Sequence, residues 1–268
     1  VSAEKADEVS LEANGIDDVE SLAGSKPSIY SGEASLYTLR VGVELLAAGR
    51  ADFLYLSLTD YMQHKFAPEA AESREFYRAI DAEVGRLLEL GAIVGITADH
   101  GMNAKCNGDG SPNVIFLETE LAREFGDGCR VICPITDPYV VHHGALGSAV
   151  TVYLPDNLDR ETVANWIAAL IGVTEVQTRE GAVAKLELPG DRIGDLFVLS
   201  ARDWVIGRTP EHHDLAKLEG TLRSHGGRYE EMVPFLISEP LNAKYAGLAK
   251  GDPRNFDIFD FVCNGIQQ

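Results

Sequence analysis

One stretch, residues 91–103, constrains the fold of this chain more than any other. Its first half, GAIVGI, is a short apolar run bounded by glycine, which is the pattern of a strand buried on both faces of a parallel sheet. The run ends in TADHG, so Asp99 and His100 lie side by side where the strand should end. Ligand sites of open α/β sheets form at the carboxyl ends of strands. The stretch therefore predicts an α/β fold with a polar site at this position, although Asp-His-Gly alone is equally the sequence of an ordinary turn.

The preceding segment repeats the arrangement. Residues 53–58 are typical of a second buried strand, and Asp60 and His64 follow it. Between the two predicted strands, apolar residues recur at helical spacing over residues 72–90. A right-handed crossover brings the ends of two such strands to one edge of a sheet. We therefore expect the polar residues at the two strand ends to be neighbours.

The rest of the chain predicts further helices and strands. Spacing and residue type predict helices at residues 33–48, 118–125, 159–171 and 257–262, and strands at residues 114–116, 150–154, 173–177, 186–188, 195–199 and 233–236. We expect a metal-binding α/β core formed by residues 1–130 and 206–268, and a smaller α+β cap lobe at residues 131–205.

The charge of the chain restricts its partners. It has 42 acidic and 23 basic residues, for a net charge of −19. Such a surface repels phosphate backbones, so we do not expect nucleic-acid binding. An anionic small substrate would need local positive charge, which bound metal ions can supply. No apolar run reaches the roughly 20 residues of a membrane span, so we expect no membrane association.

The cysteines and the first residues indicate a compartment. Cys106, Cys129, Cys133 and Cys263 lack the paired spacing of a structural zinc site, and we expect reduced thiols in a cytoplasmic protein. The chain begins at Val1 with polar residues and without the apolar core of a secretory leader. Because Val1 is not an initiator methionine, we expect a piece of a longer protein.

Three separate positions offer ligands for a metal ion. Asp60 and His64 are four residues apart and lie on one face if a helical turn follows the strand. The TADHG sequence adds a second Asp-His pair, and His225 lies in a glycine-rich turn, SHGG. Mixtures of histidine and aspartate suit zinc and similar divalent ions. Two histidine doublets are competing candidates, of which the first is preferred because it lies in the predicted cap lobe: His142-His143 and His212-His213.

In this order, D-x-x-x-H, TADHGM and SHG resemble the motifs of the alkaline phosphatase superfamily. The longer segments YLSLTDYMQHKFAP, GITADHGMNAKCNGDGSPNVIFL, ITDPYVVHHGALGSAVTVYLP, DRIGDLFVLS and LRSHGG are similar to the phosphonoacetate hydrolase family within it. The resemblance extends over residues 2–234. It implies an alkaline-phosphatase-like α/β core, with a mainly parallel sheet between helices, and a smaller α+β cap lobe. It further implies hydrolysis of the carbon-phosphorus bond of a small anionic phosphonate, phosphonoacetate, to acetate and phosphate.

The resemblance also implies two zinc ions in one active site. One would be held by Asp60, His64 and His225. The other would be held by Asp99 and His100, together with an aspartate and a threonine that are not identifiable here. That threonine would be the nucleophile and form a phospho-enzyme; we expect it upstream of Val1, so no catalytic nucleophile is assigned in this chain. We expect His64 and His225 also to contact the substrate, and Asn103 and Lys105 to line the same pocket, although Cys106 beside them departs from the histidine of the family pattern. A homodimer is left open.

Two other functions remain open from the sequence. A nucleotide pyrophosphatase/phosphodiesterase of the same superfamily would share the metal ligands, and only an assay on both substrates would separate the two activities. A non-catalytic metal-binding module is the alternative of another class, because no nucleophile is identified. A purely structural α/β domain would need five ligand-type residues in the family's order by chance.

Overall fold

A computed structural model describes residues 1–135, 146–218 and 220–267. Its contacts divide the chain into two units. Unit 1 comprises Val1–Asp99 and Pro234–Gln268, and unit 2 comprises His100–Val233. The cap lobe predicted at residues 131–205 falls within the sequence range of unit 2.

Helices α1 to α5 precede the first strand, and shorter helices are interspersed among the strands after it. The α-helices are α1 Leu11–Asn14, α2 Val19–Ala23, α3 Glu33–Ala47, α4 Tyr61–Lys65, α5 Ala71–Glu89, α6 Leu117–Phe125, α7 Arg160–Ala168, α8 Arg179–Leu186, α9 Ala243–Leu248 and α10 Ile258–Asn264. Short 3-10 helices cover Ala3–Glu8, Pro210–His212, Leu215–Lys217, Arg228–Glu230 and Asn255–Asp257. In the ranges that the structure describes, none of the helices qualifies as a membrane span.

Within the described residues, the strands form four separate sheets. They are β1 Gly95–Thr97, β2 Asn103–Ala104, β3 Val114–Phe116, β4 Arg130–Ile132, β5 Ala149–Tyr153, β6 Val173–Thr178, β7 Leu196–Ser200, β8 Val205–Gly207, β9 Arg223–Ser224 and β10 Phe235–Ile237. In unit 1, β1 pairs antiparallel with β10. In unit 2, β2 pairs antiparallel with β9, β3 pairs parallel with β8, and the order β4-β5-β7-β6 forms an antiparallel sheet. The α/β class predicted from the sequence is confirmed. The expected mainly parallel sheet is not seen, because among the described strands only β3 and β8 pair in parallel.

The two long helices of unit 1 confirm the periodicity of the sequence. α3 and α5 begin and end within one or two residues of the predicted bounds. Their apolar faces meet in a cluster in which Leu36, Leu39 and Phe76 are buried. Gly49, which follows α3, has a φ of +63°, a conformation that glycine adopts without strain. Helical spacing alone was therefore sufficient to locate both elements.

The strand predicted at residues 53–58 is wrong. Phe53 lies in a bend, and the segment has no paired strand in the described ranges. Phe53 and Tyr55 are 60% and 72% exposed, and their rings contact Phe259 at centroid distances of 6.4 Å and 5.9 Å. A strand is defined by hydrogen bonds to a neighbour, and apolar residues alone do not supply one. The apolar pattern alone was therefore not sufficient to predict strand pairing or burial of this segment.

The stretch at residues 91–103 also differs from its prediction. β1 covers three residues only, it pairs antiparallel instead of parallel, and each of its residues is half-buried. One face of β1 is packed tightly against α10, because a Cβ on Gly95 would lie 2.5 Å from Val262 and 2.9 Å from Ile258. Ile93, just before the strand, is 45% exposed. Glycine in this strand therefore permits the close approach of a helix on one side.

Unit 2 contains the largest buried core of the described residues. Helices α6 and α7 pack with the four-stranded sheet, and most of the side chains of β5 and β7 are buried. The core members are Ile115, Leu117, Leu121, Val131, Cys133, Val150, Val152, Val163, Ile167, Leu196, Val198 and Ile206. The strands and helices predicted in this region are confirmed, with one exception. Residues 186–188 are not a strand, because Thr178 accepts a hydrogen bond from Gly181 N–H and begins α8, which ends at Leu186.

Candidate functional site

Asp60 and His64 lie together in unit 1, as their spacing predicts. Asp60 is the residue that precedes α4, and His64 is in its last turn. The Asp60 carboxylate does not cap the helix; its Oδ2 lies 3.1 Å from His64 Nε2. The side chains are 43% and 25% exposed, so the pair is accessible at the surface of the unit. A carboxylate oxygen and an imidazole nitrogen are therefore presented side by side.

A buried serine fixes the chain just before this pair. Ser35, in the first turns of α3, is 1% exposed. Its Oγ accepts a hydrogen bond from Thr59 N–H at 3.0 Å and lies 3.3 Å from the Thr59 carbonyl oxygen. The residue that precedes Asp60 is thus anchored to a long helix. Sequence analysis did not identify Ser35, because a serine inside an apolar helix gives no signal of its partner.

Asp99 follows β1 in unit 1, at the strand end that the sequence predicts. Its side chain is exposed. Asn255, in the 3-10 helix before α10, donates a hydrogen bond from Nδ2 to the carbonyl oxygen of Ala98 at 3.2 Å. This contact holds the backbone next to the carboxylate.

His100 and His225 are stacked in unit 2. Their ring centroids are 3.5 Å apart and the rings are inclined by 4°. His100 Nδ1 lies 2.9 Å from the carbonyl oxygen of Gly101, and when Nδ1 donates its proton there, Nε2 carries the lone pair that a metal ligand needs. The carbonyl oxygen of His225 accepts a hydrogen bond from Ser148 N–H at 2.8 Å. Two histidines that are 125 residues apart in sequence are thus held as neighbours.

Asn103 and Lys105 are also in unit 2, in and just after β2. Asn103 Nδ2 donates to Glu230 Oε1 at 2.5 Å, and Lys105 Nζ donates to the same oxygen at 2.9 Å. Lys105 is fully buried. Sequence analysis missed Glu230, because a glutamate after a glycine-rich turn is typical of a solvated surface. A role of Asn103 and Lys105 in substrate binding stays a prediction.

The structure describes the second of the two histidine doublets but not the first. His142-His143 lies outside the described residues. His213 is 4% exposed; its Nε2 accepts a hydrogen bond from Arg208 N–H at 3.0 Å, and its ring stacks on Phe116. Burial lowers the pKa of His213, which favours the neutral ring that accepts this bond. His212 Nδ1 lies 2.9 Å from Thr209 Oγ1. These contacts give His213 a packing role within unit 2, whereas His212 is exposed.

The donor chemistry fits divalent transition metals. Each unit offers a close pair, Asp60 with His64 and His100 with His225, and Asp99 adds another carboxylate. Imidazole nitrogen and carboxylate oxygen are the ligands of catalytic zinc sites. The assignment of all five residues to two metal ions stays a prediction.

A family model matches most of this chain. The model of type I phosphodiesterase / nucleotide pyrophosphatase matches residues 36–228. The matched range contains all the candidate metal ligands of the two units.

Solved structures give a closer comparison. Two structures of phosphonoacetate hydrolase from Sinorhizobium meliloti 1021, in complex with phosphonoformate and with phosphonoacetate, are each 44% identical to this chain, with TM-scores of 0.88. Each alignment covers 98% of this chain and 63% of that chain, so this chain spans less than two thirds of those relatives' length. Murine ectonucleotide pyrophosphatase / phosphodiesterase 5 in complex with AMP has 16% identity and a TM-score of 0.52, with 90% of this chain and 62% of that chain covered, which shows a similar fold alone. The resemblance stated from the sequence is confirmed. The chain belongs to the type I phosphodiesterase / nucleotide pyrophosphatase family.

Proposed function

We propose that this chain is part of a zinc-dependent phosphonoacetate hydrolase, which cleaves the carbon-phosphorus bond of phosphonoacetate to give acetate and phosphate. The observation that carries the proposal is the 44% identity, over 98% of this chain, to a protein crystallised with phosphonoacetate. The ligand-type residues in each unit support it, because both pairs have the donor atoms that the reaction needs.

The chain's own residues hold the ions in this proposal. Asp60, His64 and His225 bind one zinc, and Asp99 and His100 contribute to a second. Bound zinc would supply the local positive charge that a chain of net charge −19 lacks, and would stabilise the charge that develops at phosphorus. His64 and His225, as ligands of the same ion, would also lie beside the phosphonate oxygens.

The nucleophile in this proposal is a threonine, which attacks phosphorus and forms a phospho-enzyme that water then hydrolyses. The resemblance assigns that threonine, and the remaining ligands, to none of the 268 residues of this sequence. The leaving group is the carbanion of acetate, which its carboxylate stabilises as an enolate and which takes up a proton from water to give acetate. Four unpaired cysteines agree with the proposed cytoplasmic location, and a homodimer stays a prediction.

The ligand assignment is tested by zinc content and by phosphate release in the complete protein. His64→Ala and His225→Ala should each lower the zinc bound per protein, measured by elemental analysis, and abolish most of the phosphate released from phosphonoacetate. His212→Ala is the matched control, because this exposed histidine contacts Thr209 and is not assigned to zinc. Unchanged zinc content in both ligand variants would refute the assignment.

One specific observation supports a second activity. The matching family model describes nucleotide pyrophosphatases and phosphodiesterases. A nitrophenyl phosphodiester assayed beside phosphonoacetate separates the two, and a higher kcat/KM for the diester would overturn the proposed substrate. Zinc uptake with turnover of neither substrate would instead favour a non-catalytic metal-binding module.

A further inference from the structure

Glu230 is a buried carboxylate on which three hydrogen-bond donors of unit 2 converge. Its side chain is 1% exposed. Oε1 accepts from Lys105 Nζ at 2.9 Å and from Asn103 Nδ2 at 2.5 Å, and Oε2 accepts from Gly227 N–H at 3.0 Å. A buried carboxylate destabilises a protein unless it is paired and hydrogen-bonded. The convergence of three donors therefore provides hydrogen-bond partners for both oxygens of the buried carboxylate.

The backbone of Glu230 also contacts the segment that carries His100. Its carbonyl oxygen accepts a hydrogen bond from Gly101 N–H at 2.7 Å. Gly101 directly follows His100, and Gly227 lies two residues after His225. One residue thus holds, through its backbone and its side chain, both of the segments that carry the stacked imidazoles.

Lys105 supplies the countercharge from within the protein. It is 0% exposed, and its Nζ also donates to the carbonyl oxygen of Arg202 at 2.7 Å. Burial lowers the pKa of Lys105, while its hydrogen bond with Glu230 acts in the opposite direction. Because the ammonium group is enclosed and hydrogen-bonded to the protein, its geometry suits a structural partner of Glu230 better than a substrate contact.

We propose that Glu230, neutralised by Lys105, is a positioning residue that fixes His100 and His225 for metal binding. The inference rests on the proposed function, because that function makes the two histidines zinc ligands. Lys105 and Asn103 then act through the carboxylate of Glu230 and not on the substrate. Partners that orient metal ligands typically change metal affinity by about 10- to 100-fold when they are removed.

Glu230→Gln in the complete protein tests the positioning role. The side-chain oxygen of the glutamine can still accept from Lys105 and Asn103, but its amide nitrogen then faces Gly227 N–H, donor against donor. We expect peptides that contain Gly227 to exchange their amide hydrogens faster in the metal-free protein. We also expect the Kd for zinc, measured by competition with a chelator, to rise about 10-fold or more.

Glu118→Gln is the matched control for loss of a carboxylate in the same unit. Glu118 also accepts from a backbone N–H, that of Val131 at 2.7 Å, and from the guanidinium of Arg208 at 3.1 Å. The control should lower stability without changing the Kd for zinc. An equal loss of zinc affinity in both variants, or none in Glu230→Gln, would overturn the inference.

Lys105→Met separates positioning from stability. Alone it leaves Glu230 without its countercharge, and we expect lower stability and weaker zinc binding. The double variant Lys105→Met/Glu230→Met removes both charges and leaves no side-chain oxygen at residue 230. Stability should therefore recover relative to Lys105→Met alone, while Gly227 N–H still lacks its acceptor. We therefore expect no recovery of zinc affinity in the double variant. Recovery of stability and zinc affinity together would show that Glu230 acts only through stability.

The same measurements distinguish this inference from the proposed function. Wild-type protein that binds zinc but releases no phosphate from phosphonoacetate would refute the proposed function and leave the positioning role intact. Full hydrolysis together with unchanged zinc affinity in Glu230→Gln would refute the positioning role alone. Wild-type protein that takes up no zinc would refute both.

Discussion

Ser35→Ala tests whether the anchor of Thr59 holds Asp60 in place. The hydroxyl is 1% exposed, accepts from Thr59 N–H at 3.0 Å, and lies 3.3 Å from the Thr59 carbonyl oxygen. A buried hydrogen bond contributes about 1 kcal/mol net, so the loss of both contacts should cost about 1–2 kcal/mol of local stability. If about 1.4 kcal/mol of this is needed to restore the position of Asp60 when metal binds, the Kd for zinc rises about tenfold.

Hydrogen exchange and zinc titration measure these two effects. Both tryptophans, Trp166 and Trp204, lie in unit 2, so tryptophan fluorescence would not report on this part of the chain. We expect the Thr59 amide to exchange about 5- to 30-fold faster in Ser35→Ala, from the same 1–2 kcal/mol. Ser31→Ala is the control, because Ser31 Oγ donates to the carbonyl oxygen of Ser28 in an exposed position. Equal exchange and equal zinc affinity in the two variants would refute the anchoring role.

Two further predictions concern unit 2. Burial lowers the pKa of His213, so the folded protein protonates this ring less readily than the unfolded chain does. The contribution of neutral His213 to stability is therefore complete above the unfolded pKa of about 6.5, and it is lost as the pH falls below that value. His213→Gln keeps an acceptor for Arg208 N–H and should lose less stability between pH 7 and pH 5 than wild type. Urea denaturation at each pH measures this difference, and an equal loss of stability in both proteins would contradict the prediction. Burial raises the pKa of the Cys133 thiol to about 11, so at pH 8 iodoacetamide should modify exposed Cys263 much faster, which peptide mass spectrometry would reveal. Comparable rates of modification at Cys133 and Cys263 would mean that the interior of unit 2 opens readily.

Local spacing accounts for what the sequence predicted well. The periodicity of α3 and α5 depends on contacts three and four residues apart, and Asp60 and His64 are four residues apart on one helical turn. Each relation is contained in a short segment, so it can be read before any fold is known. The segment at residues 53–58 shows the limit, because pairing and burial of an extended segment depend on residues elsewhere in the chain.

Glu230 shows why the support of the site could not be found in the same way. A lone glutamate after SHGGRY is typical of a solvated turn, and nothing in its neighbours indicates burial. Its burial depends on Lys105, which lies 125 residues earlier and by itself is equally typical of a surface. Each charge would be costly to bury alone, and each is tolerated only because the fold brings the other to it. Candidate metal ligands can be recognised in the sequence by residue type and spacing. The residues that orient them are defined by a pairing that exists only after folding. The double variant Lys105→Met/Glu230→Met is therefore the decisive measurement, because it removes that pairing while leaving every proposed zinc ligand in the chain.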